Sequence, residues 1–282
     1  MDKMRIVRLL RCLPPQLPGR LRLAAFLLRP LFDLTGIKIE DRYGFSYNVP
    51  SIKESIGLHL LVFGIYEPLL MECLLHYIKP GFTFVDVGAN IGTFSIPMAK
   101  AVGGGGIVLS VEPSPTVFPY LRDNVRLNNA SNIKLENCAA GERDDFIQFY
   151  DAPISHFGMG SFGPQFGVDP VKVHVKTLDS ILLENKIKHA DIVKVDAEGY
   201  EALIFKGMPV LLNQMKKPII FFEFCDWAEQ RIAHNKTGDS QRVLRECGYK
   251  IYRLRNFIRG DRKPLVNILL KGSETLVAVN GL

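Results

Sequence analysis

A short β-branched run at residues 83–87 ends in Asp86-Val87-Gly88-Ala89-Asn90-Ile91-Gly92 and passes straight into a helical stretch, 92–101. A strand that turns through glycine into a helix returns to its sheet by a crossover, so the next strand lies parallel to the first. The pattern then repeats. Strands are predicted at 107–111, 134–139, 192–195 and 218–224, and helices at 116–129, 177–185, 202–214 and 241–248. Residues 146–150 and 171–175 read as strands bounding an irregular loop, 151–170. Residues 249–254 and 266–270 read as closing strands. This alternation predicts an α/β chain with a doubly wound, mainly parallel sheet, whose ligand lies at the carboxyl ends of the strands.

Residues 1–80 precede that unit as a small appendage, and 81–282 form the main domain. In the appendage, Pro14-Pro15-Gln16-Leu17-Pro18-Gly19 makes a linker, and 37–49 reads as a hairpin around Asp41-Arg42-Tyr43-Gly44. Residues 51–57 and 67–77 have helical character. The net charge is +6, and most of it sits in residues 1–35, where Lys3, Arg5, Arg8, Arg11, Arg20, Arg22 and Arg29 face only Asp2 and Asp33. The rest is nearly neutral, so no nucleic-acid partner is expected. The basic segment fits either a helix packed on the main domain or a peripheral contact with an anionic membrane surface. Its most apolar run, 21–34, is broken by Arg22, Arg29, Pro30 and Asp33, short of the ~20 residues of a membrane span. Arg11 and Pro14-Pro15 likewise interrupt any secretory signal. Five cysteines without CxxC spacing fit free thiols in a reducing compartment. A cytoplasmic, membrane-associated or free, protein is expected, and a homo-oligomer is compatible with all of this.

The glycine turn has the spacing G-x-x-x-G. Asn90 stands where a dinucleotide fingerprint needs its second glycine to approach a pyrophosphate, which argues against NAD or FAD. With an acidic residue on the strand, the turn suits a ligand that carries an ammonium and a carboxylate, such as the methionine part of S-adenosylmethionine. Glu112 ends the second strand, 24 positions after Gly88, where a carboxylate can accept hydrogen bonds from ribose hydroxyls. Cys138-Ala139-Ala140-Gly141 follows the third strand. Ala140 there either leaves room for adenine or packs on a helix. On the fourth strand Lys194, Asp196 and Glu198 alternate and would face one side if extended. Charges at an apolar strand end cost stability unless paired or used. Either a local Lys–Asp pair caps the next helix, with Glu198 and Glu201 near its positive end, or the group works on a ligand. Glu223 closes the fifth strand in the same way.

Together, Val85-Asp86-Val87-Gly88-Ala89-Asn90-Ile91-Gly92, Val111-Glu112-Pro113-Ser114-Pro115, Asn124 through Asn128, Lys176-Thr177-Leu178-Asp179, Lys194-Val195-Asp196-Ala197-Glu198-Gly199-Tyr200-Glu201 and Phe222-Glu223 resemble the FkbM family of class I methyltransferases. Gly64-Ile65-Tyr66-Glu67-Pro68 resembles that family's lead-in. The resemblance covers roughly residues 60–225. It implies a Rossmann-like seven-stranded fold, S-adenosylmethionine as cofactor, Glu67 near the active site, and methyl transfer to a hydroxyl of a sugar, glycoconjugate or polyketide-type metabolite. The cofactor-binding set is then Glu67, Asp86, Gly88, Asn90, Gly92, Glu112, Ala140 and Asp196.

Methyl transfer needs the acceptor aligned with the methyl and its proton removed. The candidates for that work are Asp196, Glu198, Lys194 and His156, the last in a loop that could cover the site. Mg²⁺ held by Asp196 and Glu223 is an alternative for which the sequence offers no third ligand, so metal-free transfer is expected. N-methylation of nucleic acid or protein is a second reading. It lacks the Asn/Asp-Pro-Pro-Tyr-like turn after the fourth strand, where Asp196-Ala197-Glu198-Gly199 stands instead. A non-catalytic cofactor-binding interaction module is a third. If Glu112 holds the ribose, Glu112→Ala loses at least ~1 kcal/mol of cofactor affinity by calorimetry, and unchanged binding removes that role.

Overall fold

A computed structural model of the chain describes residues 11, 20–28, 35–233, 235–261 and 263–281. The linker at 14–19 and most of the basic residues of 1–35 lie outside these. Helix α1 (Arg20–Leu28) buries Ala24 and Leu28 and leaves Leu23, Leu27 and Phe26 exposed, Phe26 at 77%. Strands β1 (Thr35–Glu40) and β2 (Ser46–Ser51) form the expected antiparallel hairpin. Its turn is set by Asp41, whose Oδ1 accepts the amides of Tyr43 at 2.8 Å and Phe45 at 2.9 Å. Helix α2 (Ser55–Phe63) starts at Glu54, which caps it by accepting the Ile56 amide, and α3 (Pro68–Tyr77) opens on a proline.

The main sheet follows: β3 (Thr83–Val87), α4 (Ser95–Val102), β4 (Ile107–Val111), α5 (Phe118–Leu127) and β5 (Ile133–Glu136). A side sheet interrupts it, made of β6 (Ala139–Gly141), β7 (Asp145–Phe149) and β8 (Val171–Thr177). The chain returns through α6 (Leu178–Glu184), β9 (Ile192–Val195), α7 (Glu201–Lys206), α8 (Pro209–Leu212) and β10 (Ile219–Cys225). It closes with α9 (Asp226–Glu229), α10 (Asp239–Glu246), β11 (Lys250–Arg253), α11 (Leu254–Ile258) and β12 (Ser273–Val279). The seven strands run β11-β12-β10-β9-β3-β4-β5, all parallel except β12, which is antiparallel to both neighbours. Alternate strand residues feed opposite faces. Val85, Val87, Val193, Val195 and Phe222 pack under α6, α7, α8 and α10, whereas Phe84, Ile192 and Phe221 pack under α3, α4 and α11. Both faces are covered, which is why the central strands are apolar throughout.

Three elements differ from the sequence reading. Residues 202–214 form two helices, because Pro209 cannot continue the first and opens the second; between them Gly207 lies so close to β6 that a Cβ there would stand 1.7 Å from the Gly141 carbonyl oxygen. Residues 266–270 are not a strand. The Gln241 side chain takes both the Leu269 amide (2.8 Å) and the Leu269 carbonyl (3.0 Å), and Ser273–Val279 is the closing strand instead. Residues 134–139 are split, the strand ending at Glu136 and Ala139–Gly141 joining the side sheet. No single helix among the described residues is long and apolar enough to cross a membrane. The four described free cysteines include Cys138 and Cys225, both buried as small core residues.

The segment before residue 80 shares its core with the sheet domain: Tyr47, Val49, Leu60 and Leu61 pack with Ile91, Ile96 and Leu121. Asparagines on α5 fasten it. Asn124, fully buried, accepts the Asn48 amide at 2.7 Å and donates to the carbonyls of Asn48 (3.2 Å) and Ile91 (3.0 Å). One turn on, Asn128 pairs with both backbone groups of Ser46, at 2.9 and 2.7 Å. Two side-chain amides thus stand in for a neighbouring strand along β2. Asn124→Leu leaves the Ile91 carbonyl and both partly buried backbone groups of Asn48 without their side-chain partner and is expected to lower stability by about 2–3 kcal/mol in urea unfolding. A change below about 0.5 kcal/mol would show that the clamp is dispensable.

Candidate active site

The strand order reverses between β3 and β9, and the crevice at such a reversal is where doubly wound sheets bind ligands. Two contacts shape it. Gly88 has φ +74°, and a Cβ there would stand 1.8 Å from the Asp196 carbonyl oxygen. The glycine is therefore required by the neighbouring strand end as much as by any ligand. Gly92, φ +92°, meets Leu121 and Ile96, so its bareness lets the turn pack on α5 and α4. Beneath the turn lies a buried ion pair. Lys194 Nζ sits 3.2 Å from Asp86, 3.5 Å from Asp196 and 3.0 Å from the Gly88 carbonyl oxygen it donates to. Ser95 donates to Asp86 at 2.6 Å. Burial alone would drive the lysine towards neutrality, but Asp86, Asp196 and Glu67 around it hold its pKa above the ordinary value.

Glu112 closes β4 and joins the two loops. Its Oε2 accepts the Asn90 amide at 2.8 Å and its Oε1 the Ser114 amide at 2.9 Å. Burial raises its pKa to about 7 against those hydrogen bonds. One cavity runs over the turn past Glu112 to the ends of β9 and β10. Val111, Pro113, Ala139, Ala140 and Phe149 give it an apolar wall, and Glu67, Asp196, Glu198 and Glu223 an acidic rim. Oxygens of Asp196, Glu198 and Glu223 lie within 4.8 Å of one another, so Glu198 is the third carboxylate that sequence spacing did not reveal. Crowding leaves Glu198 and Glu223 reluctant to ionise. Burial and then neighbouring carboxylates push Glu198 up to about 9 and Glu223 to about 8, and burial with Asp196 pushes Glu67 to about 7. Glu201 holds the Ala197–Gly199 loop from behind by accepting the Ala197 amide at 2.9 Å.

Of the residues singled out in the sequence, Glu67, Gly88, Asn90, Glu112, Ala140, Lys194, Asp196, Glu198 and Glu223 share this cavity. Asp86 and Gly92 do not line it; they position the turn and the lysine. His156 is exposed, hydrogen-bonded to Ser155 at 3.0 Å and packed on Phe166, outside the lining. Its neighbours Phe157, Gly158, Met159, Gly160 and Phe162 do cover the cavity, so the loop lies over the site through its backbone and aromatics. Glu54 and Tyr66 also line it. Tyr66 was signalled by its place beside Glu67, whereas a lone acid before a helix gives no sign that Glu54 meets Gly158, 3.1 Å from where a Cβ would be. Glu67, Asn90 and Glu198 all have left-handed backbones, φ 41°, 50° and 50°.

A doubly wound sheet of this order, with a glycine turn, a carboxylate ending the second strand and an acidic rim over the fourth and fifth, defines a class I methyltransferase. The family model described as the methyltransferase FkbM domain matches residues 86–251. The chain belongs to the FkbM family of S-adenosylmethionine-dependent methyltransferases. Methyltransferase sdnD of Sordaria araneosa is 27% identical over 44% of this chain and 59% of its own length. Hexuronic acid methyltransferase AglP of Haloferax volcanii is 27% identical over 55% of this chain and 61% of its own. The chain thus spans about three-fifths of these curated relatives. Among solved structures, an O-methyltransferase from Bacillus cereus in complex with SAH aligns at a TM-score of 0.45 with 13% identity, covering 76% of this chain and 80% of that one.

The raised carboxyl groups make the fold pH-sensitive. Glu54, Glu67, Glu112, Glu198, Glu201 and Glu223 bind protons in the folded state up to about pH 7–9 but ionise near 4.5 when unfolded. Their stabilisation is complete below pH 4.5 and is lost as pH rises through 7–9. The melting temperature of the ligand-free protein is therefore expected to fall from pH 5.5 to 8.5, and Glu198→Gln, neutral at every pH, should flatten that fall. A melting temperature that climbs over this range would contradict the protonation of these acids.

Proposed function

We propose that the protein transfers a methyl group from S-adenosylmethionine to a hydroxyl oxygen of a saccharide or similarly hydroxylated metabolite. The observation that carries this reading is the acidic rim at the ends of β9 and β10: Asp196 and Glu198 share one small space with Glu223 at the mouth of the cavity. Oxygen methylation needs a proton acceptor beside the methyl, and a carboxylate that the fold brings to the cavity can serve as one. The AglP relative, named for a hexuronic acid, supports a saccharide acceptor.

The cavity fits the cofactor. Glu112 retains acceptor capacity on both carboxylate oxygens for ribose hydroxyls beyond its two amide bonds. Ala139 and Ala140 leave space for a flat base, and the rim gathers acidic side chains whose ionised forms a cationic group seated among them would favour. When bound, S-adenosylmethionine supplies an electrophilic methyl on a sulfonium, which becomes a neutral thioether as the new carbon–oxygen bond forms. Asp196 or Glu198 takes the hydroxyl proton. Lys194 stays protonated and holds Asp196 and the Gly88 turn in line, which makes it a positioning residue. The loop with Phe157 and Phe162 excludes water from the cavity.

Release of S-adenosylhomocysteine should accompany O-methylation within a panel of glycosides and hydroxylated metabolites. Asp196→Asn and Glu198→Gln are each expected to lower kcat by about 10²-fold or more while cofactor binding persists. Full activity in both variants, or an N-methylated product, would sink this reading. The same three carboxylates are close enough to share a divalent cation, and activity abolished by EDTA and restored by Mg²⁺ would convert the mechanism to a metal-assisted one.

A further inference from the structure

Beside the cofactor cavity, over the carboxyl-terminal end of the sheet, lies a second, open groove of about 540 Å³. That volume falls in the range of small-molecule sites. Its walls are the start of α3 and the β11–α11 and β12 ends, with Arg253, Arg255, Asn256, Ser273 and Thr275 supplying polar groups. A small void of about 10 Å³, walled by Leu70 and Phe221 and by Glu67, Lys194, Asp196 and Thr275, shares residues with both the groove and the active-site cavity. Glu67 is thus a common wall of the cavity, the void and the groove.

The two arginines differ. Arg253 is paired with Glu274 across β11 and β12. Arg255 is exposed, and among the described residues no carboxylate or carbonyl hydrogen-bonds or pairs with it. The segment that carries it is the second basic stretch of the chain: Lys250, Arg253, Arg255, Arg259, Arg262, Lys263 and Lys271 stand against Asp261 alone. A planar guanidinium left free at the rim of a polar groove matches a carboxylate or phosphate, which it can hold by two parallel hydrogen bonds.

We propose that this groove is the acceptor site and that it takes an acidic polyol, a sugar acid or sugar phosphate, with Arg255 binding the anionic group while a hydroxyl reaches past Glu67 to Asp196 and Glu198. This rests on the reading of the protein as an O-methyltransferase. Binding of methyl glucuronide, glucose 6-phosphate and the neutral methyl glucoside to the protein loaded with S-adenosylhomocysteine tests it by calorimetry. The acidic probes bind at least about tenfold more tightly than the neutral one, and the preference between carboxylate and phosphate identifies the source of the charge. Arg255→Ala removes that advantage, Arg255→Lys restores part of it, and the affinity for S-adenosylhomocysteine stays within about twofold in both. Equal binding of acidic and neutral probes, no binding of either acidic probe, or an unaffected Arg255→Ala variant would overturn the proposal. Failure of the underlying reading looks different: lost affinity for S-adenosylhomocysteine, or methyl groups found on nitrogen whatever Arg255 is.

Discussion

Lys194 is the residue on which the site hangs. Its ammonium is buried at the strand-order reversal, held by Asp86 from β3 and Asp196 from the end of β9, and it donates to the carbonyl of Gly88. A buried charge is tolerated only with partners of this quality, and removing one partner typically costs about 3–5 kcal/mol. The pair therefore locks two parallel strand ends to a fixed separation. That separation is so small that Gly88 can carry no Cβ against the Asp196 carbonyl. Everything above it, from the cofactor turn to the acidic rim, is built on this joint.

Above the joint the protein accepts local cost for arrangement. Glu67 and Glu198 take left-handed conformations, each at about 1–2 kcal/mol, and Asn90 takes one that asparagine adopts readily. Four glutamates, Glu67, Glu112, Glu198 and Glu223, are kept in surroundings that resist their ionisation. These penalties are met by the two well-covered faces of the sheet and by the asparagine clamp on β2. They also describe a cavity that an incoming cationic ligand relieves, because positive charge favours the ionised acids. Glu67 has a double position, lining both the active-site cavity and the outer groove.

Much of this was legible from residue order. Strand β3, its glycine turn, Glu112 and the Lys194–Asp196–Glu198 alternation stood out because each departs from the apolar periodicity around it. Most of the errors fall where non-local contact overrode local pattern. Apolar residues 266–270 suggested a strand, but Gln241 takes their backbone groups. The break within 202–214 was local and overlooked, since Pro209 ends one helix and opens the next; what only the fold shows is how closely Gly207 lies on β6. Asp86 read as a ligand-binding acid, yet it faces inward to Lys194 and Ser95.

By itself the sequence determined the class of sheet, the cofactor turn and which acids gather at the strand ends, since periodicity and glycine spacing are local properties. Tertiary structure alone decided how those acids stand toward one another. It brought Glu198 to Asp196 and Glu223 within 4.8 Å, fastened the N-terminal hairpin through Asn124 and Asn128, and set Arg255 on a groove next to Glu67. Those relations join residues far apart in the chain. The distances between them depend on how the strands are ordered and how the faces pack, which no short stretch of sequence encodes.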